Sequence, residues 1–229
     1  MARRNQYLDA LRGIAVAFVL FFHLFPGSLP GGYLGVDIFF VLAGYLAVQS
    51  LDKRSDSVAG LISYPLARLR RLAPAAFVVL IATAVLAMLM IPNPDDAIMQ
   101  SMHQAAMGLG FDDYLTKSGN AYFAPTEEFN PYLHLWTISV EIKYYALIFG
   151  VYVIAWLLAA LSDRLGAHQR VLRVFFVIAL VMVSLGWFMR EQAAAYYLFG
   201  SRIWQFGLGS LLAFWLSSPR VESPLGSGR

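Results

Sequence analysis

Six stretches of this chain are each long and apolar enough to cross a bilayer, at about 9–25, 33–51, 73–92, 133–161, 171–189 and 196–216. A hydrocarbon core about 30 Å thick needs roughly 20 apolar residues per helix. Lipid offers the backbone no hydrogen-bond partner, so uninterrupted spans of this length read as helices. Composition leaves no alternative. Hydrophobic residues make up 59% and charged residues 14% of the 229 positions, against roughly 45–50% and 25% in ordinary globular domains. A water-soluble enzyme surface cannot be built from these residues. The expectation is an all-α, polytopic transmembrane helical bundle of about six spans. Arg3 and Arg4 precede the first stretch as they would in a secretory leader. Yet Asp9 and Arg12 interrupt the run and Pro26-Gly27-Ser28-Leu29-Pro30 supplies no small-x-small cleavage pattern, so an uncleaved first helix is expected.

Lys and Arg concentrate on the cytoplasmic side of membrane proteins. With the N-terminus inside, the cytoplasm receives Arg3, Arg4, Lys53, Arg54, Arg68, Arg70, Arg71, Arg164, Arg170, Arg173, Arg220 and Arg229. The exterior receives Lys117 and Arg190 beside seven acidic residues between Asp95 and Glu191. Twelve basic residues against two fix the expected orientation, that of a multi-pass protein of the cell (inner or plasma) membrane. A transmembrane domain is expected over 1–216, with an extracytoplasmic segment at about 93–131 and a flexible polar tail over 217–229. Ala97 to Phe111 is too short to span and reads as an interfacial or re-entrant helix. The small net charge of +3 and the absence of a basic run exclude a nucleic-acid surface. With no cysteine in the chain, thiolate metal sites and a thiol nucleophile are excluded; no metal and no tightly bound cofactor are expected.

Ionisable side chains inside spans mark protein interiors or cavities, and here they are Arg12, His23, Asp37, Glu141, Lys143 and Arg202. Arg12 and His23 stand eleven residues apart, about three full turns and about 16 Å along a helix, so they share one face. Asp9 is one turn before Arg12 and within pairing reach. Pro26 to Gly35 makes a tight turn, which puts Asp37 near the depth of His23, where a carboxylate can hold the imidazole as a general base. Arg68 and Arg71 lie three apart and can fork onto one phosphate group, and Arg12 enters from the same side. Seven residues separate His134 from Glu141, about two turns, so they too share a face. Trp136 lies between them. Glu141 and Lys143 point about 200° apart, so each needs a partner from another helix, with Arg202 the candidate for Glu141.

These residues carry a resemblance. Tyr7-Leu8-Asp9-Ala10-Leu11-Arg12-Gly13-Ile14-Ala15, followed by His23, resembles the opening of the membrane-bound acyltransferase family 3. The block Gly32 to Tyr45, the pair Arg68 and Arg71 before Leu72-Ala73-Pro74, and the block His134 to Glu141 are similar to its later motifs, in the same order over about residues 7 to 215. Ala43 stands where serine is common in that family, and Ile142-Lys143 where glutamate-glutamine is usual. The resemblance implies transfer of an acyl group, usually acetyl from acetyl-CoA, to a hydroxyl of an extracytoplasmic glycan, lipid-linked molecule or other envelope component, as in polysaccharide O-acetylation. It implies that Arg12 and His23 are the essential pair, and that this chain is a short form lacking the last helices of the usual ten or so.

Combining both readings, Arg68 and Arg71 bind the CoA phosphates with help from Arg12, and the pantetheine arm runs up the first helix to His23. Asp37 orients His23, and His134, Trp136 and Glu141 form the acceptor region. A transporter of small anions or acylated lipids, and a non-catalytic membrane scaffold, are the rival readings; the oligomeric state is open. The orientation has a direct check in a cysteine-free chain. Cysteine introduced at position 127 or 128 should react with an impermeant maleimide on intact cells, and cysteine at 68 or 71 only after the inner face is opened. Labelling of position 68 from outside would reverse the topology.

Overall fold

The computed structural model describes residues 6–25, 27–90, 96–107, 110–117, 130–190 and 196–217. They form nine α-helices: α1 Gln6–Leu24, α2 Leu34–Asp52, α3 Val58–Met90, α4 Asp96–Met107, α5 Phe111–Lys117, α6 Trp136–Leu161, α7 Asp163–Ala167, α8 Gln169–Arg190 and α9 Phe199–Leu216. A 3₁₀ turn, Leu133–Leu135, leads into α6. There is no strand among the described residues. This is the expected all-α bundle.

Five helices, α1, α2, α3, α6 with its leading turn, and α8, are long and apolar enough to cross a membrane. The sixth expected span, α9, has 18 residues, about 27 Å of helix, but Arg202, Gln205, Ser201 and Ser210 dilute its apolar character. All four are buried: the helix hides its polar side chains against its neighbours. The third span differs from expectation at its start. It was expected from 73, yet α3 begins at Val58 and runs 33 residues, with Pro65 and Pro74 inside it. At about 50 Å it exceeds the hydrocarbon thickness. Its earlier turns, carrying Arg68, Arg70 and Arg71, therefore belong to the same helix as the span. The segment expected as one helix over Ala97 to Phe111 is divided into α4 and α5; α4, at 12 residues or about 18 Å, is too short to span. Most of the extracytoplasmic segment between α5 and the 3₁₀ turn, and the polar tail from 218 onward, lie outside the described residues.

Helix α2 is the centre of the bundle and packs most extensively on α9. Small residues make this possible. A Cβ on Gly44 would come within 1.9 Å of the Phe206 carbonyl oxygen, and one on Gly209 within 1.9 Å of the Val41 carbonyl oxygen. The two backbones touch directly. Around that contact Phe206 stacks on Phe40 at 4.5 Å and on Tyr144 at 4.4 Å, joining α2, α6 and α9. The polar groups within the stack are satisfied. Ser210 donates to the Gly44 carbonyl at 3.1 Å, so the Tyr144 hydroxyl donates to Ser210 at 2.7 Å. Helix α1 rests on α2 in the same manner, with Gly35 against the Ala15 carbonyl. Its other faces, including Ile14, Phe18 and Phe21, are exposed, as suits a helix surrounded by lipid tails. Gly27, at φ +85°, makes the left-handed step in the turn that reverses the chain between α1 and α2.

A matched pair of substitutions reads the α2–α9 contact. Gly150, on α6, has open space around its Cβ position, so Gly150→Ala should be neutral or add about 0.5–1 kcal/mol through helix propensity. Gly209→Ala should cost about 3 kcal/mol through overpacking. Thermal unfolding in detergent compares them, and equal melting temperatures would mean that the helices do not meet at Gly209.

Candidate functional site

A cavity of about 520 Å³ lies among α1, α2, α3 and α6. Arg12, Arg68 and Arg71 line it together with Glu141 and His134, and its wall is apolar: Val16, Val19 and Leu20 from α1, Val36, Phe39, Phe40, Leu42 and Ala43 from α2. Side chains from four separate motifs thus converge on one space, as the shared-face argument anticipates for His134 with Glu141. His23 is exposed and is not among the residues that line it, and meets the site through its contact with His134.

At the arginine end, Arg68 is 8% exposed. Its guanidinium lies over the Tyr145 ring at 4.7 Å and the Tyr64 ring at 5.2 Å, and Nη2 donates to the Leu46 carbonyl at 2.7 Å. Two aromatic faces and one carbonyl hold the fork in a single orientation. Arg71 is exposed, one turn along the same helix. Arg12 pairs with Asp9 at 3.6 Å, the expected i,i+3 contact. Three cations facing one cavity make an anion site wherever a phosphate can reach it.

At the opposite end two imidazoles meet. The rings of His23 and His134 are 4.7 Å apart between centroids and 87° apart in plane. His23 Nδ1 donates to the Val19 carbonyl at 2.8 Å. A carbonyl only accepts, so Nδ1 carries a hydrogen and, in the neutral ring, Nε2 holds the lone pair. This corrects the expected role of Asp37. Its Oδ1 accepts from Arg202 at 3.2 Å and from Gln205 at 3.1 Å, both on α9, and the tautomer of His23 is set by its own helix. Arg202 is correspondingly withdrawn from Glu141, which accepts the Tyr145 hydroxyl instead. Trp136 is also repositioned. It is 1% exposed and packs against Phe40, Tyr196 and Tyr197, with Arg202 5.7 Å above its ring. It shapes the core and is not presented to an acceptor.

Several partners escape a reading of the sequence. Lys143 Nζ donates to both oxygens of Asp112 at 2.8 Å and to Asp113 at 2.7 Å, while Ser139 donates to Asp112 at 2.5 Å. These bonds dock the external helix α5 onto α6. The Asp-Asp pair at 112–113 was visible but read as exterior charge. Near the other end Tyr152 donates to Asp52 at 2.5 Å, and Arg173 stacks on Tyr152 at 4.2 Å and bonds Asp52 at 3.4 Å. Arg173 is therefore a buried interhelical tie as well as a marker of topology. Tyr64 and Tyr145, which cage Arg68, had no signal beyond being tyrosines.

The family pattern described as an acyltransferase domain, that of acyltransferase family 3, matches residues 5–225. The chain belongs to this family. It is 32% identical over 225 residues to a putative membrane-bound transacylase of Komagataeibacter xylinus, covering 96% of this chain and 53% of that protein. It is 31% identical to a putative O-acetyltransferase of Staphylococcus aureus strain COL and 29% identical to an O-acetyltransferase of strain NCTC 8325, each covering 90% of this chain and 34% of the relative. The chain therefore spans about half the length of the first relative and a third of the other two. No solved structure matches it.

The Asp37–Arg202 contact predicts a non-additive pair. Arg202 has a side chain only 4% exposed, so removing its carboxylate strands a buried cation. Asp37→Leu alone should cost about 3–5 kcal/mol, whereas Asp37→Leu with Arg202→Leu should recover most of it. Unfolding of the single and double variants in detergent gives the coupling, and strictly additive losses would dissolve the pair.

Proposed function

We propose that this acyltransferase family member is an integral membrane O-acyltransferase. It moves an acyl group, acetyl by preference, from acyl-CoA to a hydroxyl of an extracytoplasmic glycan or lipid-linked envelope molecule, and it resides in the inner or plasma membrane. The observation that carries this reading is a cavity lined by three arginines at one end and by His134 at the other, where the His134 ring meets that of the exposed His23. That polarity suits a donor with phosphates at one end and a thioester at the other. The two relatives named as O-acetyltransferases support acetyl as the group and oxygen as the acceptor atom. Basic residues gathered on the side where α3 begins favour donor binding from the cytoplasm.

The phosphates of CoA bind Arg68 and Arg71, with Arg12 as the third cation. The caged guanidinium of Arg68 loses little freedom when it forks onto a phosphate, which favours binding. The pantetheine arm, a narrow unbranched chain, follows the α1 face past Val16, Val19 and Leu20, about 16 Å from Arg12 to His23. His23 Nε2 takes the proton of the acceptor hydroxyl as its oxygen attacks the thioester carbonyl. The C–S bond breaks, and the same imidazole returns the proton to the departing sulfur. Without a cysteine no thiol-bound acyl-enzyme forms on this chain.

Two sets of variants separate binding from chemistry. His23→Ala should reduce acyl transfer by about 10²–10⁴-fold and leave the acetyl-CoA dissociation constant unchanged. Arg68→Lys with Arg71→Lys keeps the charge and loses the fork, and should raise that constant about tenfold, or about 1.4 kcal/mol. Equilibrium binding of acetyl-CoA to the detergent-purified chain and transfer of labelled acetyl to glycan acceptors give the two readouts. Normal turnover by His23→Ala, or unchanged donor affinity in the double lysine variant, would overturn the corresponding half.

A further inference from the structure

In acyl transfer from a thioester, negative charge builds on the carbonyl oxygen as the hydroxyl adds to the carbon, and a hydrogen-bond donor aimed at that oxygen is needed to stabilise it. The base cannot supply it. His23 has its one N–H committed to the Val19 carbonyl, and its other nitrogen must present a lone pair to the acceptor hydroxyl. The remaining polar side chains along the cavity wall can be taken in turn. The three arginines belong to the opposite end. Thr137 Oγ1 donates to the His134 carbonyl at 2.9 Å, and the Tyr145 hydroxyl donates to Glu141. Glu141, as a carboxylate, has nothing to donate. His134 is what is left: it lines the cavity, it sits on the 3₁₀ turn at the start of α6, and its ring stands edge-to-face with that of the base.

We propose that His134 is a second catalytic residue, a neutral imidazole whose N–H donates to the thioester carbonyl oxygen and to the oxyanion that forms from it. The proposal rests on the acyl-CoA reading and adds a division of labour to it. His23 moves the proton, while His134 keeps its own and holds the charge. The two rings must then both be neutral before reaction; the doubly charged state is opposed by repulsion between two imidazolium ions at 4.7 Å. The step balances: the hydroxyl loses its proton to His23, the new C–O bond forms, the C–S bond breaks and the sulfur regains the proton, with His134 unchanged throughout.

The test separates a hydrogen-bond donor from a packing ring. His134→Phe keeps an aromatic ring against His23 and removes the donor. His134→Asn and His134→Gln keep an N–H at the position of one ring nitrogen or the other. On the acyl-transfer assay, His134→Phe should lower kcat by about 10²–10³-fold with little change in the KM for acetyl-CoA, and one of the two amide variants should stay within about tenfold of wild type. A second readout needs no turnover. The infrared carbonyl stretch of bound acetyl-CoA, carrying carbon-13 at the thioester carbonyl, should lie at lower frequency in wild type and in the active amide variant than in His134→Phe. His134→Leu replaces the phenylalanine variant should the latter fail to fold. A wild-type band position in His134→Phe, wild-type kcat in that variant, or equal losses in all three would each overturn the role. If acetyl-CoA fails to bind wild-type protein at all, the acyl-CoA reading falls and this inference falls with it. Binding with an unshifted band sinks the inference alone.

Discussion

The bundle depends on the direct meeting of two helix backbones. Gly44 and Gly209 let α2 and α9 approach until each would clash with the other's carbonyl if it carried a Cβ. In lipid there is no hydrophobic gain from pushing apolar helices together, so association relies on close packing and on internal hydrogen bonds. That one approach serves both. It stacks Phe206 between Phe40 and Tyr144, and it brings Arg202 and Gln205 of α9 to Asp37 of α2. With α2 so fixed, its other face becomes a firm cavity wall. Val36, Phe39, Phe40, Leu42 and Ala43 stand opposite α1, α3 and α6 with little freedom to yield.

The charged and polar groups of the bundle fall into two kinds. Asp37, Arg202, Lys143, Asp112, Asp52 and Arg173 are consumed in contacts between helices; each ionic group has a named partner of opposite charge. Arg12, Arg68, Arg71, Glu141 and His134 turn toward the cavity. Asp37, Lys143 and Arg202 of the first kind and Arg12 and Glu141 of the second have the same appearance in the sequence, an ionisable residue in an apolar run, and the cost of burying charge applies to both. Only the second kind is available to a ligand.

This distinction explains what could and could not be read beforehand. Membrane spans are legible because lipid imposes length and apolarity on each segment separately, and five of them, with α9 as a less apolar sixth helix, stand where expected. Residues on one helix are legible because rotation per residue is fixed, which is why His134 and Glu141 reach the same cavity and Arg12 lies a straight run below His23. Partners across helices are not. Asp37 was matched with His23 because both lay near one turn, but the competing partner, Arg202, is 165 positions away and depends on how α9 packs. Trp136 joins the acceptor region in the sequence reading because it lies between His134 and Glu141; its concealment by Tyr196 and Tyr197 follows from tertiary contacts. The early start of α3 was hidden by Pro65 and Pro74, which usually end a helix and here lie within one.

The attachment of α5 to α6 has an evolutionary consequence. Asp112 is wholly buried and shares its two oxygens between Lys143 and Ser139. Loss of Lys143 would strand the buried Asp112, whereas loss of Asp112 would leave Lys143 only its bond to Asp113 at the protein's edge. A lineage that replaces Lys143 by an uncharged or acidic residue must therefore change position 112 in the same stretch of history, or forfeit the docking of its external helix. Sequences of descendants should thus vary at 112 and 143 as a unit, and the outer face of the protein should inherit its shape from a residue that never reaches the surface.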